Sequence, residues 1–195
     1  MTLRASMVLM VLALCYVPEL VRAQSNMVLN GGFDTSAAGW TLNNVFGSGY
    51  VSTKGNPGGY FFLTSGSSSP TSTVSQIING LIPGITYSVA GDYEYVTDFG
   101  GGSPTDPSFG VALDGVSLFE TSVPADSNWH SFNFEYTATS TSTLLSLSSQ
   151  INGTGVAYGI DNISIEPVPE PTSLALLGLG GMIGALFFRN LRNVR

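Results

Sequence analysis

The chain of 195 residues is poor in cysteine, histidine and positive charge. Its one cysteine, Cys15, lies in an apolar segment near the N-terminus. A mature chain that sheds this segment has no thiol, which excludes disulfides, thiolate-bound zinc and a cysteine nucleophile. The one histidine, His130, cannot build a zinc site without a second histidine or a cysteine. No serine sits in a Gly-x-Ser-x-Gly context, so the sequence offers no nucleophile elbow. Basic residues are confined almost wholly to the ends: Arg4 and Arg22, then Arg189, Arg192 and Arg195. Between Gln24 and Pro171 Lys54 alone faces twelve carboxylates, a net charge of −11. Such a chain repels phosphate backbones, and nucleic acid is excluded as a partner.

Long apolar runs are likewise missing from the middle and present at both ends. The first end reads as an export signal. Arg4 precedes an apolar core from Ala5 to Val17, Pro18 breaks it, and Val21-Arg22-Ala23 supplies a cleavage site. The expected path is the Sec translocon, with signal peptidase cutting between Ala23 and Gln24, so that residues 1–23 are the signal peptide.

Residues 24–166 read as one all-β domain, a jelly-roll-type β-sandwich. Short alternating runs are punctuated by turn residues, and helical periodicity is nearly absent. The expected strands are Met27–Asn30, Gly39–Phe46, Gly59–Thr64, Thr71–Ile78, Thr86–Val96, Ser108–Leu113, Val116–Thr121, Trp129–Thr137, Thr143–Gln150 and Gly155–Ile165. Asp114-Gly115 signals a tight hairpin, and Pro83-Gly84 a turn before the long Thr86–Val96 strand. Thr97–Ser108, with Asp98 and Asp106, reads as the longest loop. Alternation sorts faces. Tyr87, Val89, Gly91, Tyr93 and Tyr95 share one, and Ser88, Ala90, Asp92 and Glu94 the other. His130, Phe132, Phe134 and Tyr136 face the core; Ser131, Asn133 and Glu135 face away. The outward set is either a plain solvated face or a sugar-binding surface of Asp92, Glu94, Asn133 and Glu135. Trp129 or Trp40 would then be the stacking platform. A glycosidase would need two such carboxyls about 5–10 Å apart, and the sequence assigns no catalytic residue.

Three segments, "NMVLNGGFDTSAAGWTL", "INGLIPGITYSVAGDYEY" and "AYGIDNISIEPV", together resemble carbohydrate-binding-module-like, galactose-binding-like jelly rolls. The resemblance spans most of Met27–Ile165. It implies a structural Ca²⁺ clamped between the first and last strands by Asp34 and Asp161, with the Gly32 carbonyl as a further ligand. Ca²⁺ takes six to eight hard oxygens, which suits this set. The alternative makes Asp34 and Asp161 turn and edge residues that hydrogen-bond the backbone.

Residues 167–195 have three parts: Val168, Pro169, Glu170 and Pro171; the uncharged run 172–188; and the tail with Arg189, Arg192 and Arg195. Seventeen helical residues reach roughly 25 Å, short of a ~30 Å hydrocarbon core but within the range of spanning helices. The arginines would stay cytoplasmic and the β domain outside. The two prolines hold the segment before the helix extended. This order resembles the PEP-CTERM sorting signal of Gram-negative bacteria that make extracellular polysaccharide. The resemblance implies an exosortase as processing partner, a transient stay in the inner membrane, and delivery to the cell surface or the exopolysaccharide matrix. The expected protein is non-catalytic and exported, with a glycan as its ligand. The alternatives are a secreted glycan-active enzyme and a permanently anchored envelope protein.

Overall fold

A computed structural model describes residues 26–43, 47–65, 71–96, 105–122, 126–152 and 156–168. The expected signal peptide 1–23, the expected membrane-spanning run 172–188 and the basic tail lie outside them. Among the described residues no helix is long and apolar enough to cross a membrane. Contacts gather Gln24–Pro167 into one unit.

Ten strands follow in order: β1 (Thr41–Asn43), β2 (Gly49–Gly55), β3 (Gly58–Ser65), β4 (Thr71–Asn79), β5 (Thr86–Val96), β6 (Thr105–Leu113), β7 (Val116–Ser122), β8 (His130–Thr137), β9 (Ser142–Asn152) and β10 (Val156–Pro167). They form two five-stranded sheets. Sheet 1 has the order β1-β4-β9-β6-β7 and sheet 2 the order β2-β3-β10-β5-β8. The pairings are antiparallel. This is the expected all-β sandwich.

Alternation explains how each strand is held. In β5, Tyr87, Val89, Gly91, Tyr93 and Tyr95 are buried, while Ser88, Ala90, Asp92 and Glu94 are only half-buried. Across the sandwich Val74 and Ile78 of β4 and Leu145 and Leu147 of β9 are fully enclosed. Removing one such side chain from water contributes about 1.5–3 kcal/mol. Aromatic rings tie the sheets together: Tyr93 stacks on Phe109 at 5.1 Å, and Phe119 on Phe132 at 5.3 Å. His130 caps this stack, 5.7 Å from Tyr93. The Asp114-Gly115 hairpin forms, with both residues at positive φ (50° and 79°) and Leu113 opposite Val116. Gly84, at φ 87°, makes the turn before β5.

Three expectations are corrected. Met27–Asn30 is not a strand, since Asn30 and Phe33 take positive φ (53° and 46°) and bend the chain there. It is still tied to β10, with Met27 N donating to Ile165 O at 3.0 Å. β2 was not expected, because glycines and Asn56-Pro57 around it read as loop; within 39–46 only Thr41–Asn43 is strand, and 44–46 lie outside the described residues. The 97–108 loop is shorter than expected, since β6 starts at Thr105. Asp106 is thus in a strand, and Asp98 lies outside the described residues.

Candidate functional site

The outward face of sheet 2 gathers the residues of interest. Register places Phe62 of β3, Gly159 of β10 and Glu94 of β5 in one row across it. Asp161, Asp92 and Ser131 make the next row, and Ser164, Ala90 and Asn133 another. Glu166, Ser88 and Glu135 follow.

Gly159 sits beneath an aromatic corner. A Cβ there would meet Glu94 Cγ at 2.9 Å, Tyr60 Cδ2 at 3.1 Å and Trp129 Cη2 at 3.2 Å. Three side chains therefore lean over one glycine, and no other residue leaves them that room. Tyr60 and Trp129 meet edge to face at 5.8 Å and 83°. This geometry suits the ring quadrupoles. Val51, Phe62, Val96 and Ala157 complete an apolar patch on the side of the sheet away from the main core. Tyr60 is buried in it, whereas Trp129 and Phe62 stay half-exposed. Trp40 is no platform: it is 8% exposed, stacks on Phe33 at 5.2 Å and donates its indole N–H to Asn30 O at 3.1 Å.

Asp92 is held by its neighbours. Its Oδ2 accepts the Asn162 amide at 2.8 Å and the Asn56 amide at 3.1 Å, and its Oδ1 accepts the Ser131 hydroxyl at 2.7 Å. Asn133 is partly engaged too, its Oδ1 accepting Ser88 Oγ at 3.0 Å. Glu135 is exposed. Trp129 precedes β8, six residues before Glu135. At about 3.4 Å per residue, the register puts Glu94 and Glu135 roughly 20 Å apart. Glycosidase carboxyls need less than half of that.

The second cluster surrounds Asp161, whose side chain is fully buried. Its Oδ2 accepts Asn56 N at 2.6 Å and its Oδ1 accepts Asn162 N at 2.7 Å. Asn162 occupies a bulge in β10 at φ 52°, a conformation that asparagine tolerates. Asp34 approaches the same place. A Cβ on Gly32 would lie 3.4 Å from Asp34 Oδ2 and 3.9 Å from Asp161 Oδ1. Burial pushes the Asp161 carboxyl up to about 6, against the two backbone N–H groups, and the charges of Asp34 and Asp92 add to the rise. Asp34 and Asp161 are the residues that could hold a cation here, with both Asp161 oxygens also accepting backbone N–H groups. Carbonyl oxygens would have to complete the shell, because the described residues contain no group of three or more acidic, histidine or cysteine ligands.

His130 serves elsewhere. Its Nε2 lies 3.0 Å from Asp126 Oδ1. That hydrogen bond, with a further one from Asn128 N, holds the exposed Asp126 carboxyl down at about 2. The sorting residues Pro169, Glu170 and Pro171, the arginines and the Ala23–Gln24 junction lie outside the described residues; Val168 ends them. Sequence reasoning missed Tyr60, Phe62, Gly159, Asn56 and Asn162. The signal for the first two was in "GGYFFLT", where both alternating sets are apolar, so one set has to face away from the core.

Residues 167–193 match the PEP-CTERM protein-sorting motif. A search of curated proteins found no match. Solved structures share the fold. The CBM22-1 xylan-binding domain from Paenibacillus barcinonensis Xyn10C superposes with a TM-score of 0.55 at 16% identity, over 77% of this chain and 99% of that one. TmCBM61, solved with β-1,4-galactotriose, gives 0.56 at 14%, over 74% and 100%. The enzymatically active domain of bacteriophage CBA120 tailspike protein 4 gives 0.52 at 13%, over 73% of this chain. The match spans 21%, about a fifth, of the tailspike chain. The molecule is thus a carbohydrate-binding-module-like jelly roll that carries a PEP-CTERM sorting motif, the mark of an exported protein.

Proposed function

We propose that this is a non-catalytic, exported glycan-binding protein, sorted by an exosortase to the cell surface or the exopolysaccharide matrix. Its tail would hold it briefly in the inner membrane with the sandwich outside. The observation that carries sorting is the motif at 167–193. Glycan binding rests on the aromatic corner over Gly159, since a half-exposed indole on a sheet face offers an apolar plane to a pyranose ring. Trp129 is the stacking residue, Glu94, Asn133 and Glu135 are the polar contacts, and Asp92 keeps the surface in shape. Asp34, Asp161 and the Gly32 carbonyl would hold a structural Ca²⁺. Bound there, it would supply charge that ties the N-terminal turn to β10. Asp161 orients that junction by accepting from Asn56 N, at the end of the β2–β3 hairpin, and from Asn162 N in β10.

Mass spectrometry of the protein from its producing cell tests the reading. A mature C-terminus near Pro171, in the surface or matrix fraction, is expected. An intact Arg195 in that fraction contradicts exosortase processing and leaves a permanently anchored protein.

A further inference from the structure

The apolar patch of Tyr60, Phe62, Val96 and Trp129 shares its face with carboxylates. β3, β10, β5 and β8 contain no lysine or arginine. Outward on three of these strands stand Glu166, Asp92, Glu94 and Glu135. Lys54, the one basic residue between Gln24 and Pro171, belongs to β2, at the edge of the sheet opposite β8. Asp92 is satisfied by three donors, yet its charge still contributes to the field of the face. Low-dielectric walls and charge of one sign raise the local concentration of the opposite charge.

We infer that the glycan on this face is cationic: a polymer of amino sugars with unacetylated amino groups. The inference rests on the glycan-binding reading above and narrows its ligand class. An anionic glycan, uronate or sulfated, would meet like charge along three strands. A neutral glycan would offer the carboxylates hydroxyl donors but no opposite charge. An ammonium group is met by both chemistries present. The Glu94 Cγ and the Trp129 indole lie over the same glycine, so an acidic side chain and an indole are neighbours. The indole attracts a cation through its ring quadrupole, and the carboxylate accepts a charge-assisted hydrogen bond. Glu135 and Glu166 stand about 10 Å apart across the Ser88 row, two strand spacings, and extend this attraction along the face.

The test titrates the full-length chain, purified in detergent, with a β-1,4-glucosamine hexamer at pH 6. The N-acetylated hexamer, cellohexaose and polylysine serve as comparisons. The expected result is at least tenfold tighter binding of the glucosamine hexamer than of the acetylated or neutral one, weakening as salt rises. Glu94→Gln and Glu135→Gln should each weaken it severalfold, and Trp129→Ala tenfold or more; Trp129→Phe is the check if Trp129→Ala fails to fold. Equal binding of acetylated or neutral hexamers overturns the cationic ligand but keeps glycan binding. Polylysine binding as tight as the hexamer's, unaffected by Trp129→Phe, also overturns it, since bare charge then suffices. Binding of no glycan removes both readings.

Discussion

The two outward faces of the sandwich have the same architecture and different chemistry. On sheet 1 the outward positions of β4 and β9 include Thr71, Thr73, Ser75, Ile77, Ser142, Leu144, Ser146 and Ser148. They are small and hydroxylic, with an apolar pair where Ile77 faces Leu144. No aromatic residue stands outward on those two strands. A shallow depression of about 150 Å³ lies beside Ser108, Gly110, Ser117, Glu120 and Ser148. Sheet 2 instead carries Trp129, Tyr60 and Phe62 together with Asp92, Glu94, Glu135, Glu166 and the buried Asp161. Strand pairing builds both faces equally well, so the fold does not dictate the difference. The outward side chains do.

Matched glycines give the largest test of this contrast. Gly159→Ala places a methyl within about 3 Å of three side chains on sheet 2, and overpacking of this kind costs about 1–3 kcal/mol. Denaturant unfolding should show that loss, and glycan binding should go with it. Gly110→Ala on sheet 1 meets only the movable Ser148 Oγ at 3.1 Å and, beyond it, Phe119 O at 3.6 Å. Its stability should stay within about 0.5 kcal/mol, the range of ordinary surface changes.

Truncating the platform is next in size. Trp129→Ala should weaken glycan binding about tenfold, or about 1.4 kcal/mol. Ser148→Ala, at the centre of sheet 1, should leave calorimetric affinity unchanged. Equal losses from both would erase the distinction between the faces.

A chelator probes the ion proposed beside sheet 2. If Asp34 and Asp161 hold Ca²⁺, EDTA should lower the melting temperature by several degrees, at about 2–4 °C per kcal/mol for a domain of this size. Asp161→Asn should abolish the difference between EDTA and Ca²⁺, and identical melting of the wild type in both would remove the ion.

The smallest effect belongs to the passage from sheet 1 to sheet 2, where Asp126 meets His130. The Asp126 carboxyl is held at about 2 from an ordinary 3.8. A lowered carboxyl pKa stabilises the fold above the unfolded value, and the gain disappears as pH falls from about 4 through 2. Asp126→Asn should therefore shift urea midpoints slightly at pH 5 and less at pH 2. The group is exposed, so screening keeps the effect small.

The sequence carried the architecture where period and turn chemistry were both strong. β5 alternates over its eleven residues, and Asp114-Gly115 announces its hairpin. It hid β2, because a strand framed by Gly47, Ser48 and Asn56-Pro57 looks like loop. For the site, the outward position of Asp92 and Glu94 followed from period 2. The saturation of Asp92 did not, since its donors Asn56 and Asn162 are 36 and 70 residues away and meet it only through a hairpin and a bulge. Trp129 was visible as a candidate platform. Its partner Tyr60 and the glycine beneath them were not, since a contact across three strands leaves no local pattern.

The most direct measurement uses the chain's two tryptophans, Trp40 in the core and Trp129 on the sheet 2 face. Acrylamide quenching of their fluorescence is followed as exopolysaccharide from the producing cell is added. The account predicts that quenching falls as Trp129 is covered, and that Trp129→Phe, which leaves only Trp40, shows no change. Quenching that stays constant in the wild type, or falls equally in Trp129→Phe, would contradict it.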